Sequence, residues 1–376
     1  MKAHPVYDRA IVGAGAAGLQ LLYEYLQLAE NIDKKVLLID SGDRSKKSWC
    51  FWSTESQTSF PFLVEKSWSK IHFRSSKGKS KTEEIDQLQY HYISSERFFS
   101  YFFDKYIPDH SQITWVKGLV KELMIEEKEV QITLQGDQVF YANKVGDSRI
   151  KPTTQSAKSL VYQHFWGKFV EFDSDILDSQ AVTLMDFSQK QTNAALSVFH
   201  YILPFSSRKA LIETTVFSTE AYNEKEYEKC WNQYMHENYA GQAFQIVGDE
   251  RGTIPMIQIQ SQQMTGQIFP IGTAAGQVKP STGYAFTRMH RDAQEKVNQR
   301  IGDRKNRYSF YDSILLHMIQ TENKAIPRVM DRLFSKMKYV DILRFLDEKT
   351  TLWEELKLFS QLQIPLFVKH LLMKNR

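Results

Sequence analysis

Tyr7-Asp-Arg-Ala-Ile-Val-Gly-Ala-Gly-Ala-Ala-Gly-Leu19 reads as a strand, a glycine loop and the start of a helix. Ala10 to Val12 is the end of a buried strand, and Gly13, Gly15 and Gly18 spell G-x-G-x-x-G. Ala16 to Ala29 reads as the helix, with Leu19, Leu22, Tyr23 and Leu26 on one face. Lys35-Val-Leu-Leu-Ile-Asp40 follows, an apolar strand ending in an acid about 20 residues past the last glycine. This order is that of a dinucleotide site. Its glycines permit the turn, the approach of a pyrophosphate to Ala16 and Ala17, and close packing of helix on strand. Asp40 and Ser41 stand where a ribose hydroxyl is held.

A second glycine segment lies far along the chain, Gly272-Thr-Ala-Ala-Gly-Gln-Val-Lys-Pro-Ser-Thr-Gly-Tyr284. Gly272 and Gly276 allow close backbone approach, and Pro280 ends the preceding element. Ser281 or Thr282 is expected to cap a helix running from Tyr284 to Val297. A helix start of this kind favours negative charge. Thr273 and Gly283 complete the set expected to touch the same ligand as the first loop.

Composition narrows the class. With 376 residues, 42% apolar and 24% charged, the chain is long enough to bury a sizeable core. A net charge of +4 with both signs interspersed does not indicate nucleic acid. The densest basic stretch, Lys66 to Lys81, reads as a solvated hairpin. Two cysteines, Cys50 and Cys230, make no zinc framework, and the histidines show no metal-ligand spacing, so no metal and a reducing compartment are expected. The chain enters its first strand without a secretory leader and has no apolar run of membrane-spanning length, which points to the cytoplasm.

The pattern predicts an α/β fold of Rossmann type with an inserted antiparallel-sheet domain and a helical C-terminus. Residues 1–50, 110–155 and 265–305 make a discontinuous nucleotide-binding domain. Residues 51–109 and 156–264 make the sheet domain, and 306–376 the helical region. A helix is expected over 95–106 and another over 219–238. Strands are expected at 113–116, 130–134, 139–141, 165–172, 181–187, 197–204 and 210–217. Val145-Gly-Asp-Ser-Arg149 reads as a return to the first sheet that brings Asp147 and Arg149 near the dinucleotide. Nucleotide segments at both ends with a sheet between them is the layout of two-part, FAD-binding oxidoreductases.

One acid interrupts an apolar strand, Glu213 in Ala210-Leu-Ile-Glu-Thr-Thr-Val-Phe217. Period-two alternation puts Leu211, Glu213 and Thr215 on one face. Two readings stand: a desolvated carboxyl with raised pKa, suited to proton donation, or an exposed glutamate on an edge strand.

Taken together, these segments resemble the flavin-dependent lycopene cyclases, and within them the bacterial lycopene β-cyclases. Further resemblance lies in Ser48-Trp-Cys-Phe-Trp52, Gln163 to Glu171, Thr183-Leu-Met-Asp-Phe187, His200 to Pro204, Gly252 to Met256 and Phe345-Leu-Asp-Glu348. The resemblance implies FAD active in its reduced form, NAD(P)H as electron donor, and lycopene or a related carotene as substrate. It implies a redox-neutral ring closure, in which an acid protonates the terminal alkene and a double bond attacks the resulting cation. Glu213 matches the acid of the family's motif, but Thr214 stands where the family has a second acid. Trp49, Trp52, Phe165, Asp186 and Tyr284 are candidate pocket residues, with core packing or a strand end as the alternative for each. Glu348 reads as a solvated helix residue. A water-insoluble substrate implies peripheral contact with the inner face of the cell membrane, with Leu362 to Arg376 as the candidate interfacial segment. The rival readings are another flavoprotein of this fold, a hydroxylase or isoprenoid reductase, and a flavin-free prenyl-lipid escort protein.

Overall fold

The computed structural model describes residues 4–150, 161–189, 196–220, 222–259, 266–299 and 306–361. The chain opens with β1 (Val6–Tyr7), β2 (Arg9–Val12), α1 (Ala16–Gln27) and β3 (Val36–Asp40). β2 and β3 are parallel, and every residue of β2 is buried. The loop between β2 and α1 is as tight as its glycines allow. Gly13 has φ +98°, and a Cβ on Gly18 would sit 1.9 Å from the Gly13 carbonyl oxygen.

Strands β4 (Ser48–Thr54), β5 (Lys66–Trp68), β6 (Lys70–Arg74), β7 (Ser80–Glu84) and β8 (Leu88–Ser94) follow. β4, β8 and β5 form a small antiparallel sheet in that order. The expected helix over 95–106 is α2 (Ser95–Ser100), capped by the Ser94 hydroxyl, continued by a π-helical stretch to Tyr106. The sequence pattern places it in the sheet domain, whereas Phe98 and Phe102 pack in one core with Leu19, Leu22 and Leu38 of the nucleotide layer.

Next come β9 (Ile113–Lys117), β10 (Val120–Glu126), β11 (Glu129–Leu134), β12 (Val139–Ala142) and β13 (Val145–Asp147). β10 carries no sequence signal, because both its faces are largely exposed and show no alternation. Beyond them lie β14 (Val161–Phe172), β15 (Ala181–Asp186), β16 (Ser197–Pro204), β17 (Lys209–Ser218), α3 (Glu224–Asn238), β18 (Phe244–Met256) and β19 (Ile268–Pro270). α3 begins later than the composition suggested, because Asn223 and Glu226 form a capping box. The chain closes with α4 (Phe286–Val297), α5 (Asn306–Glu322), α6 (Ile326–Lys336), α7 (Tyr339–Leu346) and α8 (Leu352–Gln361).

Two sheets position the site. The parallel sheet runs β19-β13-β2-β3-β9, so the expected return at Val145 is there. The seven-stranded sheet runs β18-β14-β17-β16-β15-β6-β7 and is antiparallel except between β15 and β6. The C-terminal helices are part of its core: Met318, Phe334 and Ile342 pack with Phe73, Leu211 and Phe217. The basic hairpin is held rather than merely solvated. Ser76 donates to Asp331 at 2.7 Å, and the Lys81 ammonium donates to the Phe334 and Met337 carbonyls at the end of α6.

Gly18→Ala should destabilise the fold by about 3 kcal/mol or more, because its methyl meets backbone rather than a yielding side chain. Chemical denaturation of wild type and variant measures this, and a loss under about 0.5 kcal/mol would contradict the loop geometry.

Candidate active site

β13 pairs with β2 on one side and β19 on the other, through Val145–Ala10 and Val145–Ile268. The Ile271 amide then donates to the Asp147 carbonyl at 3.0 Å. Gly272 is thereby set against α1, where a Cβ on it would lie 2.8 Å from the Ala17 methyl. Two glycine segments more than 250 residues apart in the chain both line one cavity of about 750 Å³.

At its polar end the cavity is lined by Gly15, Ala16, Ala17 and Gly18, and across from them by Gly272, Thr273, Ser281, Thr282 and Gly283. Gly15 is the N-cap of α1 and offers no side-chain cap, so the first-turn amides are free to face a ligand. A Cβ on Gly15 would meet nothing within 4 Å, which marks open space in front of that turn. The buried Thr282 hydroxyl has no hydrogen-bond partner among the described residues. An open cradle at one end and an orphaned hydroxyl at the other fit a dinucleotide cofactor laid between them.

Several sequence candidates take other positions. Ser281 and Thr282 do not cap α4: a turn closed by the Gly283 amide on the Lys279 carbonyl delays the helix to Phe286, with Ala285 at its N-cap. Gly276 and Pro280 shape that turn and do not line the cavity. Asp40 uses both carboxylate oxygens within the chain, accepting from the Ala14 and Gly42 amides and from Arg44. Burial works to raise its pKa, but those donors prevail and hold the carboxyl below its ordinary value. Ser41 is exposed beside it. Asp147 and Arg149 form a two-pronged ion pair at 2.9 Å that also reaches the Val120 carbonyl. Ser148, between them, is the residue that lines the cavity.

The floor of the cavity is the seven-stranded sheet, read in rows. Gly167 on β14 lies between Glu213 on β17 and Glu250 on β18, and Glu213 is opposite Tyr201 on β16. In the next row Phe165 lies between Thr215 and Gly252, with Phe199 beyond Thr215. A Cβ on Gly252 would fall 2.3 Å from the Phe165 ring, so glycine there lets the ring lie flat across the strand. The alternation read in the sequence holds, and Glu213 is buried rather than exposed. Trp49 and Tyr284 also line the cavity. Tyr284 shares a chain of hydroxyls with Tyr90 and Tyr201 at 2.7 and 2.8 Å. Trp52 sits behind it, edge-on to the Tyr284 ring.

Asp186 is not in the cavity. It points to the opposite face of the sheet, where the Tyr234 hydroxyl donates to it at 2.8 Å, so the strand-end alternative describes it. Glu348 is no solvated helix residue. It lies just past α7 and accepts from Lys279 at 3.0 Å and Arg288 at 2.8 Å. Lys279 is only 3% exposed and also donates to Asp312, so this network pins the late glycine turn to α5 and α7. No local signal marks Glu250, Ser148 or Tyr201; only strand register brings them to the site.

Beyond the glutamates the walls become apolar, with Leu184, Phe217, Ile314, Val329, Phe345 and Leu358. The family described as "Lycopene cyclase protein" matches this chain over residues 8–371. The chain belongs to the lycopene cyclase family. No curated protein sequence matches it. The fold of this lycopene cyclase family member is shared with solved flavoproteins at low identity. One is a geranylgeranyl bacteriochlorophyll reductase-like protein of Thermoplasma acidophilum, with 11% identity, TM-score 0.61, and 97% and 98% of the two chains covered. A flavoprotein/dehydrogenase of Cytophaga hutchinsonii has 9% identity, TM-score 0.59, and 91% and 92% covered. An HpxO variant of Klebsiella pneumoniae, solved in complex with FAD, has 12% identity, TM-score 0.57, and 92% and 95% covered.

The two carboxyls on the floor of this cyclase-family cavity are both shifted upward. Burial, then the neighbouring Glu250, pushes Glu213 up to about 8, opposed by the hydrogen bond from Thr215 at 2.6 Å. Burial pushes Glu250 up to about 7, opposed by the hydrogen bond from Ser48 at 2.9 Å. A carboxyl whose folded pKa lies above its unfolded value keeps its proton while the unfolded chain loses it. The contribution of these two groups to stability is therefore fully present below about pH 4.5 and is lost as pH rises, through about 7 for Glu250 and about 8 for Glu213. Glu213→Gln should flatten this decline, making the variant more stable than wild type at pH 8. Denaturation midpoints at pH 5, 6.5 and 8 measure it, and parallel profiles would contradict the burial assigned to Glu213.

Proposed function

We propose that this protein is a lycopene β-cyclase, with Glu213 as the proton donor. The observation that carries the reading is a carboxyl buried in the lining of a largely apolar cavity among aromatic side chains, with its pKa pushed upward by that burial. Such a group gives a proton to an alkene more readily than a solvated carboxylate, and π faces and negative charge stabilise the cation that follows. The Thr215 hydroxyl orients the Glu213 carboxyl through Oε1. Tyr201, Phe165 and Tyr284 line the space where the cation would form, and the largely apolar walls favour a hydrocarbon there over water.

FAD is the cofactor in this reading. The α1 amides would hold its pyrophosphate, and Thr282 with its neighbours the ring end. When bound in its reduced form, FAD would supply an electron-rich, negatively charged surface beside the cation without being consumed, and NAD(P)H would provide the reduction. Contact with a membrane surface belongs to the same proposal, because the substrate dissolves in bilayers. No described helix is long and apolar enough to cross a membrane. On α8, Leu358 and Phe359 line the cavity while Leu352, Trp353 and Leu356 are exposed, so one helix would join the cavity wall to an interface. The segment 362–376, expected to act there, lies outside the described residues.

The test is an anaerobic assay of the purified protein with lycopene in liposomes and FAD reduced by dithionite or NADPH. Many rings per reduced flavin are expected. One product per flavin, with oxidised flavin left behind, would indicate a reductase instead. Gly15→Val should fold, since its side chain enters open space, yet lose FAD binding by equilibrium titration. Glu213→Gln should keep FAD and lose cyclisation by on the order of a thousandfold. Near-normal turnover would remove Glu213 from the chemistry.

A further inference from the structure

The floor of the cavity holds a second carboxyl that the sequence motif does not mark. Glu250 on β18 and Glu213 on β17 are both paired with Gly167 of the intervening strand. Residues level across two strand spacings have backbones about 10 Å apart and project to the same face. Two glutamate side chains reaching over a residue without one can therefore share a single small space. Gly167 keeps that space clear, because a Cβ there would lie 3.2 Å from the Glu213 Cβ and 2.7 Å from a Leu211 methyl. Glu250 is 6% exposed, as is Glu213, and both line the cavity.

The two carboxyls are not equivalent. Among the described residues, Glu213 receives one hydrogen bond, from Thr215 on its own strand. Glu250 receives one from Ser48 at the start of β4, beside Trp49 and Cys50. Two like charges confined to one dry space do not both ionise, so the pair is arranged to hold one proton between them. Burial is the main cause of the upward shift in each. In the cyclase reading Glu213 carries the proton at the start of the reaction, which leaves Glu250 as the carboxylate of the pair.

We propose that Glu250 is the base that removes the ring proton, so that Glu213 and Glu250 act as a donor–acceptor pair across Gly167. This rests on the cyclase reading given above. In the first step the terminal double bond of the substrate takes the Glu213 proton, forming a C–H bond and a tertiary cation. The neighbouring double bond closes the ring with its electron pair and moves the positive charge to a ring carbon. Glu250 then takes the hydrogen on the adjacent ring carbon as a proton, and that C–H pair becomes the ring double bond. One proton enters and one leaves, with no net change in electrons. Transfer from Glu250 back to Glu213 across the open space restores the pair for the second end of the substrate.

The carbon that loses its proton fixes the ring isomer, which gives a readout that a merely structural role would not move. The experiment compares wild type, E250Q and E250D by product chromatography, with FAD binding as the control for folding. E250Q should bind FAD and lose β-ring formation by about a hundredfold or more. Its residual cyclic product should move to isomers in which a neighbouring carbon has lost the proton. E250D keeps the charge but withdraws it by one methylene, and should show the same change in isomer ratio to a smaller extent. Should E250Q fail to bind FAD, the isomer ratio of E250D carries the test alone. β-Rings as the sole product in E250D, or slower turnover of E250Q with an unchanged ring isomer, would overturn the assignment, the latter leaving Glu250 as an electrostatic neighbour of Glu213. Absence of any cyclic product from wild type would sink the cyclase reading instead.

Discussion

The three-residue strand β13 is the constraint on which the site depends. It pairs in parallel with β2 and β19 at once, and so ties the first glycine loop to the last. Parallel strands need long crossovers, and here the crossover from β13 to β19 contains β14 to β18, five of the seven strands of the large sheet. Without this shared strand the two halves of the cofactor cradle would have no fixed separation. The same strand fixes Ser148 beside Gly13, where a Cβ on the glycine would lie 2.0 Å from the serine hydroxyl oxygen. Close approach at Gly13, Gly18 and Gly272 is thus a single packing requirement expressed at three positions.

The antiparallel sheet solves a different problem, that of keeping a titratable group dry. A buried carboxyl is costly when charged and tolerable when protonated. The sheet provides this by surrounding Glu213 with Tyr201, Phe165 and Thr215 on one face, while the other face is sealed by α3, whose Trp231 and Tyr234 share a core with Ile212 of β17. Burial therefore does two things together. It stabilises the neutral acid, and it forms the apolar end of the cavity.

The C-terminal helices complete that chamber. Met318 and Phe334 pack directly on the sheet, and the buried Lys279 links the late glycine turn to Asp312 of α5 and to Glu348 after α7. Removing one partner of a buried ionic network leaves the others uncompensated, at a cost of about 3–5 kcal/mol. The network thus couples the geometry of the cofactor end to the helices that wall the apolar end.

Much of this was legible in the chain itself. The βαβ unit, the late glycine segment, the return at Val145 and the alternation around Glu213 follow from local rules, because glycine spacing and period-two burial are properties of a single segment. The family resemblance rested on the order of such segments. Local rules failed where the outcome depends on another part of the chain. Whether Glu213 was buried or exposed depended on which strands flank β17 and what covers them. Asp186 and Glu213 both sit in strands of one sheet, and only the packing of α3 decided that Asp186 faces away from the cavity. Glu250 stood in an ordinary charged run, Asp249-Glu250-Arg251, with nothing to distinguish it. Its place beside Glu213 was decided by strand register across Gly167, a relation between three distant segments that no one of them contains.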